Sequence, residues 1–254
     1  MAPRADPATG ARDDAASTTG SVAARVRALD WEALLATVDE RGFATTGPLL
    51  GPEECAGLVA LWDEQARFRS RVDMARHRFG VGEYRYLSHP LPALVRLLRR
   101  TLYHRLVPLA NRWAVRLGSP DRYPDDLDTF LRQCARQGQT RPTPLLLRYE
   151  AGGFNCLHQD LYGAVAFPLQ VTWLLSRPGV DFTGGQFLLV EQRPRAQSRG
   201  EAVDLTHGEA IVFATRHRPV DGARGAYRVS VRHGVSRVLT GLRLTCGLIF
   251  HDAE

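Results

Sequence analysis

Apolar positions recur at helical spacing over Leu29–Glu40, with Asp30 placed to cap the first turn, and again over Pro52–Phe68, where Pro52 suits a first helical position. Between them Phe43–Leu50 reads as a short strand and turn. The run His89-Pro90-Leu91-Pro92 then breaks the chain. An apolar and Arg-rich helical pattern follows over Ala93–Leu117, which Pro108 should kink or split and which Gly118, Ser119 and Pro120 end. One more helix is predicted over Asp125–Arg136, so the chain before Pro142 reads as mostly helical.

After Pro142 and Pro144 the texture changes to short β-type runs separated by Gly, Pro and Asp. Strands are predicted at Leu145–Glu150, Val165–Leu175, Gln186–Glu191, Ala202–Leu205, Ala210–Thr215, Tyr227–Arg232 and Leu242–His251. Many short strands at this spacing argue for a sandwich or barrel. The expectation is a mainly β protein: a jelly-roll core over residues 142–254 with a helical half over 22–141 packed on it as one domain. Residues 1–21 are rich in Ala, Asp, Thr and Gly and read as a disordered tail rather than a secretory signal.

The candidate chemistry lies in the β half. His158 and Asp160 are two residues apart, so on an extended strand they point the same way and can take adjacent positions on one metal. His233, far downstream, would complete the face. Two imidazoles and a carboxylate leave three coordination positions open, which suits iron(II) sites where a 2-oxo acid takes two and dioxygen the third. Arg243, ten residues after His233 in a strand-like run, could pair with the far carboxylate of the oxo acid, since a planar guanidinium makes two parallel charge-assisted bonds. His217 rivals His233 by spacing, but Arg216 and Arg218 flank it, and two fixed positive charges oppose a bound cation; a loop role is expected. His251 and Asp252 are adjacent and would face opposite ways on a strand. Arg148, Asn155 and Gln170 are polar residues in apolar surroundings near the ligands and are candidates for the pocket wall. Cys156 is read as packing.

Composition modifies this picture in two places. Cys55, Cys134, Cys156 and Cys246 are scattered without metal or disulfide spacing, and no apolar run reaches the roughly 18–20 residues needed to cross a bilayer, so a reducing cytoplasm is the expected compartment. The formal charge of +6 would raise the prior for an acidic partner, but all 33 basic residues are Arg and none is Lys, a bias that suggests a GC-rich genome. Distribution tells more. Ten Arg between Arg67 and Arg105, interleaved with Phe68, Phe79, Tyr84, Tyr86 and Tyr103, fit either a solvated helical face or a nucleic-acid surface. Arg193, Arg195 and Arg199 in EQRPRAQSR could form a basic lip for phosphate, or simply a solvated loop.

The stretch RYEAGGFNCLHQD resembles the start of the catalytic core of AlkB-type nucleic-acid demethylases, and that match implies that Tyr149 hydrogen-bonds the oxo acid. The run from His233 to Arg243, HGVSRVLTGLR, is similar to the pattern of prolyl-hydroxylase-like oxygenases. Together they resemble the iron(II)/2-oxoglutarate dioxygenase superfamily over Leu145–Arg243. More narrowly, FPLQ, PGVDFTGGQF, EQRPRAQSR and RHGVSRVLTG resemble a bacterial family described as oxygenases acting on damaged nucleic acid. The AlkB-type pattern carries a second Arg shortly after the first; LTCGLIFHDAE after Arg243 contains none. The resemblance implies Fe(II) and 2-oxoglutarate as cofactors, dioxygen as co-substrate and C–H hydroxylation as the reaction, with damaged DNA or RNA as substrate. Two other readings stand beside it: a hydroxylase of an amino acid, peptide or small metabolite, and a non-enzymatic metal-binding jelly roll.

Overall fold

The computed structural model of the protein describes residues 22–254; the tail expected over 1–21 lies outside them. A helix over residues 22–28 (α1) leads into α2 (Trp31–Arg41), where the Asp30 carboxylate accepts from the Ala33 N–H at 3.0 Å and Gly42 closes the helix at φ +85°. Strand β1 (Phe43–Pro48) and helix α3 (Pro52–Ala60) follow. The helical pattern over Pro52–Phe68 stops at Ala60. Two short 3-10 turns lead instead into β2 (Phe68–Asp73), then β3 (Gly80–Val81) and β4 (Glu83–Leu87). The half expected to be helical therefore also supplies strands. Helix α4 (Ala93–Arg116) runs through Pro108 without a break. Its missing N–H frees the carbonyl of His104, and both residues are exposed, so water can take that oxygen. Helix α5 (Leu127–Arg136) carries its own Asp126 cap.

The remaining strands are β5 (Leu145–Glu150), β6 (Phe154–His158), β7 (Leu169–Leu174), β8 (Phe182–Gly184), β9 (Phe187–Gln192), β10 (Arg199–Val203), β11 (Glu209–Ala214), β12 (His217–Gly222), β13 (Gly225–Val235) and β14 (Val238–Ile249). The β7 strand starts later than its apolar run because the Val165 backbone is held by Gln139, while Pro168 lacks a donor. His217, expected in a loop, lies on β12.

All the strand pairings are antiparallel, in two sheets. One has the order β1-β11-β7-β14-β5-β4-β2, with β8 on β14; the other has β10-β9-β13-β6-β3, with β12 on β13. The sheets face one another, as the Phe187 and Phe213 rings from opposite layers meet at 4.9 Å, and this is the jelly roll the strand spacing implied. Helix α4 buries Leu98, Leu102, Leu106, Leu109 and Trp113. Its Tyr103 joins Phe130, Phe167 and Phe250 in an aromatic cluster that ties the helices to the end of the large sheet.

Candidate active site

The two imidazoles are brought together by strand pairing. His158, the last residue of β6, is the direct partner of His233 on β13, and the ring centroids lie 4.2 Å apart. The next pair along is Asn155 with Val235, so β6 carries one extra residue between the pairs. This bulge lets Asn155 and His158, three positions apart, both face the same cavity. Gly234 stands opposite it for a steric reason: a Cβ there would lie 2.6 Å from the Asn155 carbonyl oxygen. The bulge also turns Cys156 outward. Its thiol is exposed, contrary to the packing role read from the sequence.

Asp160 sits just beyond β6 rather than on it. Gln159 fixes the turn, donating through Nε2 to the Val231 carbonyl at 2.8 Å and to Ser230 Oγ at 3.1 Å, so Asp160 comes back to the side of His158. Its carboxylate lies 3.5 Å from His158 Nε2 and 3.2 Å from His233 Nε2, and the three donor atoms fall within 4.8 Å of one another. Tyr162 Oη donates to Asp160 Oδ1 at 2.6 Å. The Nδ1 of His158 bonds the Cys156 carbonyl at 2.8 Å, which places the proton there and leaves Nε2 free as a ligand atom. His233 is held by rings instead, packed between Phe187 and Phe213.

The electrostatics match this arrangement. Burial works against a charged His158, but the hydrogen bond and charge of Asp160 outweigh it and raise its pKa. Burial, reinforced by the neighbouring His158, lowers that of His233. Burial alone would raise the Asp160 pKa, yet its two imidazole partners hold it well below the usual carboxylate range. A buried carboxylate of this kind needs a cation beside it.

Arg243 lies on β14, 2 % exposed, in the wall of the same cavity. Its Nε and Nη1 have no partner among the described residues. Burial lowers its pKa to about 10, which still leaves it charged at neutral pH. The Tyr149 ring lies 5.7 Å from the guanidinium, and the Tyr149 hydroxyl accepts from Asn155 Nδ2 at 3.3 Å. Gly185 makes room for the Arg243 stem, since a Cβ there would meet Cδ at 2.8 Å. An isolated buried guanidinium costs several kcal/mol, on the order given for unpaired buried charges. A dicarboxylic ligand that supplies a carboxylate here, and two further oxygens at the three-donor face, fits the groups present.

The cavity measures about 200 Å³. It gathers seven residues that the sequence assigned to the metal, the oxo acid or the pocket wall: His158, Asp160, His233, Arg243, Tyr149, Asn155 and Gln170. Arg193 and Arg195 are not among its walls. Arg193 pairs with Glu191 at 2.7 Å beside a second cavity, and Arg195 is exposed in a turn at φ +59°. The Arg67–Arg105 stretch is not a helical face. Arg71 and Arg85 pair with Glu83, Arg99 with Asp252 and Arg100 with Asp128. Tyr84 and Tyr86, named from the sequence only as aromatics among the Arg67–Arg105 charges, reach the cavity from β4, and sequence reasoning missed Tyr162. Alternating aromatics in EYRYL were the available signal for the first two.

Residues 82–253 match the model of a family described as an oxygenase catalysing oxidative methylation of damaged DNA, and the chain belongs to that family. An uncharacterized protein of Mycobacterium tuberculosis is 52 % identical over 223 residues, covering 80 % of this chain and 96 % of the relative. Similar solved structures include a prolyl hydroxylase from Trichoplax adhaerens, in complex with a hypoxia inducible factor peptide fragment, with TM-score 0.55, 17 % identity and coverage of 94 % of this chain and 96 % of that one. Another is an oxidoreductase of the 2OG-Fe(II) oxygenase family from Burkholderia pseudomallei, with TM-score 0.52, 17 % identity and coverage of 88 % and 92 %. These likenesses establish the fold. Family membership makes the chain an oxygenase, which decides against the non-enzymatic metal-binding jelly roll, and its fold is one that 2OG-Fe(II) oxygenases share. No helix among the described residues is long and apolar enough to cross a membrane.

Proposed function

We propose that the chain binds iron(II) through His158, Asp160 and His233, seats 2-oxoglutarate against Arg243 and Tyr149, and hydroxylates a C–H bond on an alkylated base of nucleic acid. The observation that carries the cofactor assignment is the buried, unpaired guanidinium of Arg243 in the same cavity as the three-donor cluster. Metal and oxo acid together, when bound with dioxygen, supply the oxidising power for the hydroxylation. The chain supplies the rest. Arg243 neutralises and orients the far carboxylate, Tyr149 stays protonated by burial and can donate to it, and Tyr162 fixes one Asp160 oxygen. The facing sheets keep bulk water from the reacting centre.

The nucleic-acid part rests on the description of the family and on the aromatic side of the cavity, where Tyr84, Tyr86 and Tyr162 could hold a planar base. On an N-methyl group, hydroxylation gives a product that loses formaldehyde. Arg193 and Arg195, away from the cavity, could take phosphates of the strand. The second reading, a hydroxylase of an amino acid, peptide or small metabolite, is favoured by the internal pairing of the Arg67–Arg105 charges, which leaves few of them for phosphate. Four unpaired thiols suit a reducing cytoplasm. The decisive assay is succinate and formaldehyde release with methylated oligonucleotides. Stimulation supports the nucleic-acid reading, whereas succinate formation stimulated only by small amides or amino acids transfers the activity to the second one.

A further inference from the structure

Gln170 is 3 % exposed, lines the cavity, and its Nε2 has no hydrogen-bond partner among the described residues. Buried side-chain amides are nearly always satisfied, because an unmade bond costs the full desolvation of the group. On its own face of β7 the neighbour is Thr172, which also lines the cavity, while Leu169, Val171 and Trp173 point to the other side, so the polar pair belongs to the cavity and not to the packing behind it. Placement points to a ligand. Gln170 is the register partner of Phe213, whose ring packs 4.7 Å from that of His233, so the amide stands one cross-strand pair from a ring that backs a metal donor.

It also stands away from the oxo acid anchor. Its other register partner is Ile249 on β14, six residues beyond Arg243, which is about 20 Å of strand. The Arg243 end belongs to the co-substrate, and the Gln170 end is left for the molecule that is oxidised. The same cavity is aromatic along β4, which two strands of the same sheet separate from β7: Tyr86 meets Tyr84 edge-on at 5.5 Å and Tyr162 at 6.0 Å, and Phe79, also in its lining, is 47 % exposed.

We propose that the carboxamide of Gln170 is the specificity-determining group of the cavity, and that it reads a nucleobase edge presenting a hydrogen-bond acceptor beside a donor. The amide offers one donor and one acceptor in a single plane whichever way that plane is turned. Glutamine makes this two-point contact to base edges elsewhere, and the tyrosines supply ring surface for a planar group. A site built to hydrogen-bond its substrate rejects a ligand that leaves the buried group unpaired. This assignment rests on the reading of the cavity as a nucleic-acid oxygenase site.

The test uses the full chain loaded with manganese(II), which supports binding without turnover, and 2-oxoglutarate. Affinity for single-stranded oligonucleotides carrying one N-methylated adenine or cytosine is compared between wild type and Gln170→Met, a substitution of similar length without the polar group. The expected result is at least a tenfold loss of oligonucleotide affinity with unchanged 2-oxoglutarate affinity. A thermal midpoint raised by about 2–4 °C should accompany it, because the variant no longer buries an unsatisfied amide. The rise separates a ligand-reading role from a structural one, in which the midpoint would fall. Equal oligonucleotide affinity in both proteins overturns the role of Gln170 and leaves the nucleic-acid reading standing. If wild type binds 2-oxoglutarate but no oligonucleotide, the nucleic-acid reading fails and this proposal with it. Should Gln170→Met fail to fold, Gln170→Leu, which also removes both polar groups, gives the same affinity comparison.

Discussion

Of the three arginines buried almost completely among the described residues, Arg99, Arg243 and Arg218, the first two are treated in opposite ways. Arg99 on α4, 1 % exposed, donates to the Ile249 and Phe250 carbonyls at 3.1 and 2.9 Å and to Asp252 at 2.7 Å. Arg243, just as deep, leaves Nε and Nη1 without partners. The first ties the end of the chain to the helical layer and is complete by itself. The second carries a cost that the protein itself does not offset. Equal burial thus goes with a closed set of partners in one region and with open hydrogen-bonding groups in the other, where the proposed function places the oxo acid.

The comparison breaks first at Arg99. Replacing it with Met strands Asp252 in the interior, and stability measured by denaturant unfolding should fall by about 3–5 kcal/mol. A fall below about 1 kcal/mol would show that the brace is dispensable. At Arg243 the same substitution should leave stability unchanged or higher, while 2-oxoglutarate affinity of the manganese(II)-loaded protein, followed by calorimetry, drops about 100-fold. Marked destabilisation there would return Arg243 to the structural class.

A smaller effect sharpens the difference on the side of Arg99. Burial, with the charge of Arg99 added to it, lowers the pKa of His251 from 6.5 to about 4. A depressed folded value favours protonation of the unfolded chain, so this contribution is intact above pH 6.5 and is lost as pH falls from there toward 4. Between pH 7 and pH 5 the loss from this one group is on the order of 2 kcal/mol. His251→Asn, whose side-chain oxygen can still accept from the Phe167 N–H, should remove that part of the acid sensitivity in parallel unfolding series at the two pH values. The smallest effect belongs to the exposed pair Arg177 and Asp181, where Arg177→Ala should change unfolding stability by no more than about 0.5 kcal/mol.

The donor set was legible because each member stands in a pattern that alternation or pairing chemistry can interpret: His158 with Asp160, His233 opening a β run, Arg243 closing it. The aromatic part of the cavity lining was not. Tyr84 and Tyr86 lie on a strand whose alternate positions carry Glu83 and Arg85, in a stretch where Arg-rich composition masks the period of two. Tyr162 acts from a loop, where no periodicity exists. The bulge between Asn155 and His158 depends on a glycine opposite it on a distant strand, a relation that spacing along one segment cannot show. Arg193 and Arg195 illustrate the converse: a basic motif is visible in the sequence, but which cavity it borders depends on the packing of β9 against β12 and α2.

The direct pairing of His158 with His233 also bears on how the metal would come and go. Two of the three donors sit on one rung of a hydrogen-bonded ladder inside a β core, so their spacing is set when the strands pair and does not await an ion. Metal-dependent folders gain their structure and their ligand in a single event. Here the two are separable: the rate of loading should follow passage through the mouth of the cavity, on a timescale unrelated to the far slower opening of the sheet, and a stripped protein should recharge without refolding.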